Sequence, residues 1–310
     1  MLEKTIKQIL TKKVSSWLDT ITDIEVKIAI SRDLVITGGC FTSMILSEEP
    51  KDYDCYFKTK ETTLLVAHYY RKLWNNKLGS NKVLVLDGAN PFQGASERMI
   101  ALCPPDRIKL IMTESGTAGD PEKANGSEEL GVESIAELDE TLVETELSKE
   151  KQKFFPVFIS TNAITLSDGI QIVVRFYGEP EKIHETYDFV HTKAYWTSSE
   201  NKVVIPAQVY EHTINKVLMY TGSKYPICSL FRMRKFITRG WKINVGQILK
   251  MCMQVSELDL MDIDTLEDQL IGVDSLYFVT LINKFREMKV KDPKFELSVP
   301  YLLSIIDQIF

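Results

Sequence analysis

The chain has 310 residues, 44% of them hydrophobic and 10% aromatic, which suits a packed core of one large or two modest domains and excludes a disordered chain. Its formal net charge is −6, from 37 Lys and Arg against 43 Asp and Glu. No stretch reaches the roughly 18 consecutive apolar residues of a membrane helix, and the N-terminal MLEKTIKQILTKK lacks the apolar segment of a signal peptide.

In chain order, residues 1–30 read as an opening helix, with Ile6, Ile9, Leu10, Val14 and Leu18 at helical spacing. Asp33-Leu-Val-Ile-Thr is a short apolar strand running into Gly38-Gly39. Cys40 to Leu46 suits a short helix, ended by Glu48-Glu49-Pro50. Asp52-Tyr-Asp-Cys-Tyr-Phe57 alternates like a half-buried strand, and Thr62 to Trp74 reads as a helix beside it. Lys82–Leu86 and Arg107–Met112 are two further strand candidates.

From Glu114 to Glu150 the composition changes, with twelve acidic residues against two lysines. The first part is rich in Gly, Ser and Glu and reads as mobile. The second carries a thin apolar stripe (Ile135, Leu138, Leu142, Val143) suited to a solvated helix. The block reads as an insertion between core strands. Order resumes with Val157-Phe-Ile-Ser, the β-branched run Ile170 to Tyr177, the alternating Tyr187-Asp-Phe-Val-His191, and Val203-Val-Ile. Helices are then expected over Ala207–Thr221, Ser229–Arg239, Val245–Val255, Thr265–Met288 and from Val299 onward. Between Ala207 and Lys250, eight Lys or Arg face one acid, so a basic region hides in an acidic chain. The five cysteines are scattered and form no CxxC pair. That argues against a disulfide framework or structural zinc and fits a reducing cytoplasm.

The chemistry gathers at Thr37-Gly38-Gly39-Cys40-Phe41-Thr42-Ser43, followed by Asp52-Tyr53-Asp54. On a strand, Asp52 and Asp54 project to one face, and two adjacent carboxylates repel unless a hard cation lies between them. Gly38 and Gly39 leave the backbone bare for phosphate, and the hydroxyl of Ser43 on the following helix can donate to it. In the basic region, Arg232, Lys235 and Arg239 fall on one helical face, suited to a triphosphate or an acceptor backbone.

This pattern of Gly38, Gly39, Ser43, Asp52 and Asp54 resembles the nucleotidyltransferase superfamily of DNA polymerase β, CCA-adding enzymes and poly(A) polymerases, including phage-encoded members. The resemblance covers residues 33–57 and, more loosely, 170–191. It implies an α+β fold: a mixed sheet flanked by helices, followed by a helical C-terminal region. The domains expected are a catalytic one at 1–206, with the acidic insertion at about 113–153, and a helical one at 207–310. It further implies two-metal transfer of a nucleoside monophosphate from NTP, with Mg²⁺ or Mn²⁺ on Asp52, Asp54 and a third carboxylate assigned to Asp188. Asp188 is expected on a strand beside that of Asp52. The leading acceptor is an RNA 3′ end in the cytoplasm; a protein or small-molecule hydroxyl is the second. A non-enzymatic reading also stands: the fold kept for a binding or virion role.

Overall fold

The computed structural model describes residues 3–78, 83–101, 103–112, 152–270, 285–292 and 295–309. The acidic block between 113 and 151 lies outside the described residues, so the mobile segment and solvated helix expected there are not addressed. Contacts divide the chain into two compact units. The first ends at Ile214 and leaves out Thr186–Val190; the second contains Thr186–Val190 and the chain from Asn215 onward.

The first unit opens with α1 (Glu3–Thr20), which buries Ile6, Leu10, Val14 and Trp17 along one stripe. Each such side chain contributes about 1.5–3 kcal/mol on burial. The Trp17 indole donates to Tyr70 Oη at 2.6 Å, so its polar atom is satisfied inside the core. The single opening helix expected from periodicity is in fact two. The break falls where Asp23 takes extended backbone and accepts from the N–H groups of Glu25 and Val26, starting α2 (Ile24–Asp33).

Strand β1 (Leu34–Thr37) is buried along its whole length. It leads through Gly38 into α3 (Gly39–Ile45), then β2 (Tyr53–Phe57) and α4 (Lys60–Leu78). β3 (Val83–Asp87) and β4 (Ile108–Met112), joined through the short α5 (Glu97–Ala101), form a separate two-stranded sheet among the described residues. The main sheet is completed by β5 (Pro156–Ile159), β6 (Ala163–Leu166), β7 (Ile170–Val173), β8 (Tyr195–Thr197) and β9 (Lys202–Val204), in the order β5-β6-β7-β2-β1-β8-β9. All pairs are antiparallel except β2 with β7, which makes the sheet mixed. α6 (Pro180–His184) and α7 (Ala207–Ile214) complete the unit.

The pairing register gives the two sheet faces different characters. Paired residues project to the same side, so Ile164, Ile172, Cys55, Ile36 and Trp196 form one row, each at most 3% exposed. The next row, on the opposite face, is Thr165, Gln171, Asp54, Thr37 and Tyr195. The first row is apolar and buried, whereas the second is polar, with Thr37 fully buried and the other four half-buried.

In the second unit, α8 (Pro226–Thr238), α9 (Val245–Ser256), α10 (Ile263–Leu270) and α11 (Val299–Ile309) make a helical region. One cluster there buries Ile263, Leu266, Phe285, Leu297 and Ile305. Asn244 caps α9 by accepting from Gln247 N, and Gln247 Oε1 accepts from the buried N–H of Tyr220. The fold is thus α+β with a helical C-terminal region. The helix expected to reach Thr221 stops at Ile214. The strand expected at Tyr187–His191 is absent: only Phe189 bridges, to Tyr220, and a 3₁₀ turn follows at Val190–Thr192. Among the described residues no helix is long and apolar enough to cross a membrane.

Candidate functional site

β1 ends at Thr37, which lies directly opposite Asp54 of β2. The next residues are Gly38 and Gly39, so the register alone brings the glycine turn to the mouth of the Asp54 strand. Gly38 has φ 91 and ψ −152, a conformation essentially closed to side chains. Gly39 opens α3 and has nothing within 4 Å of where a Cβ would stand, so its backbone borders open space. Ser43 is half-buried on α3.

Asp54 is half-buried in β2, and Asp52 is exposed one residue ahead of it. Both approach the first turn of α3. Burial raises the Cys40 thiol well above its ordinary pKa, and the charges of Asp54, Cys55 and Asp52 add to the effect. Cys40 itself is held by its thiol donating to Thr37 O at 3.5 Å. On the other side of Asp52, Gly169 (φ +73) is so close to the preceding peptide that a Cβ would meet Lys51 O at 2.6 Å. Only glycine lets the turn before β7 reach the base of the Asp52 backbone.

The turn is fastened from the far side as well. Thr37 Oγ1 donates to Ala194 O at 2.7 Å and lies 2.8 Å from His184 Nε2. Ala194 O can only accept, and the threonine has one proton, so Nε2 must be the donor in the second bond. This assigns His184 as the Nε2–H tautomer. Burial, then the nearby Lys193, lowers its pKa to about 4 against the opposing pull of Glu181, so the ring is neutral near pH 7. Gly38 N donates to Thr192 O at 3.2 Å, and Thr42 Oγ1 to His191 O at 3.1 Å.

Asp188 belongs to the second unit. Its carboxylate, 5% exposed, accepts from Arg232 at 2.6 Å, and its carbonyl accepts from Thr221 N at 2.8 Å. The expected strand beside that of Asp52 is therefore corrected: β2 has β1 and β7 as neighbours, because the chain reaches Asp188 only after leaving the sheet. Among the described residues no group of three or more His, Cys, Asp or Glu side chains is placed to hold a metal. Of the expected basic face, Arg232 and Lys235 lie on α8, whereas Arg239 is its C-cap residue. Lys235 and Arg239 are exposed.

Asp52 and Asp54 offer carboxylate oxygens, a hard donor type. Such donors fit Mg²⁺, which keeps several waters and takes one or two carboxylates together with substrate phosphates. Sequence reasoning placed Thr37 at the head of the motif without its link to His184, and did not assign Gly169, Gln171, His184 or Tyr195 to the site. The one legible signal was Gln171, a lone polar residue within Ile170-Gln-Ile-Val.

A family model described as Gabija anti-defense 2 family protein matches residues 8–216. The chain belongs to this family. The match takes in α1 from its second turn and runs through the whole sheet to the end of α7, so the family's shared part contains the glycine turn, Asp52, Asp54 and His184. Among solved structures, the chain is similar to a Thermotoga maritima CCA-adding enzyme complexed with tRNA, at 12% identity and TM-score 0.37, over 92% of this chain and 57% of that one. A CCA-adding enzyme in complex with CTP is similar at 12% identity and TM-score 0.36, over 93% and 56%. The Gabija anti-defense 2 chain thus spans a little over half the length of these structures. A comparison with curated proteins found no match.

Proposed function

We propose that this protein is a divalent-metal-dependent nucleotidyltransferase serving the anti-defense role for which its family is named. The observation that carries the reading is the register Thr37 to Asp54, which sets the Gly38-Gly39 turn, open at Gly39, at the mouth of the strand that bears Asp54 and follows Asp52. Asp52 and Asp54 hold Mg²⁺ or Mn²⁺. The ion, when bound, supplies charge to the triphosphate and lowers the pKa of the acceptor hydroxyl. Gly39 admits the triphosphate against bare backbone, and Ser43 donates its hydroxyl to a phosphate oxygen. Thr37 and His184 keep the turn in place with neutral hydrogen bonds, adding no charge beside the carboxylates. The acceptor is a hydroxyl, with an RNA 3′ end first and a protein hydroxyl second. On the second unit, Lys235 and Arg239 offer positive charge to an acceptor backbone.

The competing reading is a site kept for binding without transfer, and it draws on the Asp188–Arg232 pair. Incubation with each α-³²P-labelled NTP, Mg²⁺ and a mixed pool of RNA and protein acceptors separates the two. Label incorporated by the wild type and lost in Asp54→Asn supports transfer. NTP retained on the protein with no incorporation supports binding alone.

A further inference from the structure

The solvent side of α1 forms a second polar surface, which the proposed transfer chemistry does not use. Lys4, Lys7, Thr11, Lys12 and Ser15 follow one another at helical spacing, off the stripe that buries Ile6, Leu10, Val14 and Trp17. With Gln8, Ser16 and Asn201 they line an open groove of about 590 Å³, and among the described residues no Asp or Glu lines it. The tip of the β8–β9 hairpin meets the groove beside Thr11, part-way along the Lys4–Ser15 face. There Asn201 adopts φ 45, a left-handed conformation that asparagine tolerates. Its Oδ1 accepts from Thr11 Oγ1 at 3.1 Å and from Trp196 Nε1 at 3.0 Å. With its oxygen engaged twice, the amide group presents its N–H donors to the groove. The lining is therefore rich in donors: three ammonium groups, the amides of Gln8 and Asn201, and the hydroxyls of Ser15 and Ser16. From Lys4 to Ser15 it extends about 16 Å at 1.5 Å per residue, room for several consecutive phosphates.

We infer that this groove binds the phosphate backbone of a nucleic-acid acceptor. The inference rests on the transferase reading for the word acceptor, but the binding itself does not require transfer. A surface of lysines without acids attracts polyanions generally, and ammonium charge on a regular spacing suits a regular polyphosphate. The contacts touch no base edge, so binding is indifferent to sequence.

The experiment is fluorescence anisotropy of a labelled 20-nucleotide single-stranded RNA against the full-length protein, titrated across KCl concentrations. The wild type should bind, with log K falling linearly in log salt. The triple variant Lys4→Gln, Lys7→Gln, Lys12→Gln should bind at least tenfold more weakly at low salt. Its salt slope should shrink by about 2, at about 0.7 per lost phosphate contact on a single strand. Asn201→Asp keeps the acceptor for Thr11 and Trp196 but puts a negative charge in the groove, and should weaken binding several-fold with unchanged melting temperature. A wild type that binds RNA through this groove but transfers no nucleotide would sink the transferase reading and leave this one standing. Three results overturn the inference: no RNA binding by the wild type, an unchanged slope in the triple variant, or equal displacement of the RNA by a polyglutamate peptide, which would make the partner an acidic protein.

Discussion

Three glycines border the candidate site, and replacing each with alanine should give three different outcomes. Gly38 at φ 91, ψ −152 occupies backbone that side chains rarely enter, so Gly38→Ala should cost about 1–3 kcal/mol. Gly169 at φ +73 carries a left-handed penalty of about 1–2 kcal/mol. In addition, a new Cβ would stand 2.6 Å from Lys51 O, so the Lys51–Asp52 backbone must shift. Gly39 differs from both: its Cβ would meet nothing within 4 Å, and alanine is favoured over glycine in a helix by up to about 1 kcal/mol. At about 2–4 °C per kcal/mol for a unit of this size, Gly38→Ala and Gly169→Ala should each melt several degrees lower, and Gly39→Ala should melt at or above the wild type. Nucleotide transfer should nevertheless fall in all three. In Gly39→Ala the cause is a methyl group in the space reserved for phosphate, so NTP affinity should drop with no loss of fold. Calorimetry and NTP titration on the same preparations test this. A Gly39→Ala variant with full NTP affinity would refute the phosphate-turn assignment, and one that melts lower would refute the open space assigned to that position.

Asp52→Asn and Asp54→Asn should each abolish transfer and weaken Mn²⁺ binding, measured by calorimetric titration, while the metal-free protein melts no lower because a repelling charge is removed. Asp188→Asn should instead lower stability by about 1–3 kcal/mol, seen in urea unfolding, because the buried carboxylate receives Arg232; unchanged stability would make that ion pair incidental. His184 has a folded pKa of about 4, below its ordinary 6.5, so the folded state favours the neutral ring. Its contribution is complete above pH 6.5 and is lost as the pH falls toward 4, on the order of 3 kcal/mol over that window. His184→Gln, which keeps a donor for Thr37, should flatten this limb of the stability profile and retain transfer, whereas His184→Leu should flatten it and lose transfer.

The amino-acid sequence showed the strand into Gly38-Gly39, the short helix after it and Asp54 within the next strand, because alternation and glycine punctuation are local signals. The shift from strands to helices after Pro206 was legible for the same reason. Other features depend on pairing partners far along the chain. β6 and β8 are four and three residues long, too short for a period to show. That Gln171 flanks Asp54 follows only from the β2–β7 register. Tyr187–His191 alternates like a strand, yet its polar residue serves an ion pair with Arg232 and its apolar Phe189 packs on Tyr220 and Phe236. His184 gave no signal at all, since its partner Thr37 lies 147 positions earlier.

The parallel pairing of β2 with β7 also bears on how the chain matures during synthesis. β1 and β2 are made early, but their sheet partners Ile170–Val173 and Tyr195–Thr197 come more than a hundred residues later. At roughly 5–20 residues per second on a ribosome, the gap lasts on the order of 5–25 s. Through that interval the edges of a strongly apolar strand pair, bearing Ile36 and Cys55, wait without their neighbours. A nascent chain in this state invites chaperone capture, and ribosomes stalled within the intervening stretch should release aggregation-prone fragments, whereas those stalled well past Val204 should not.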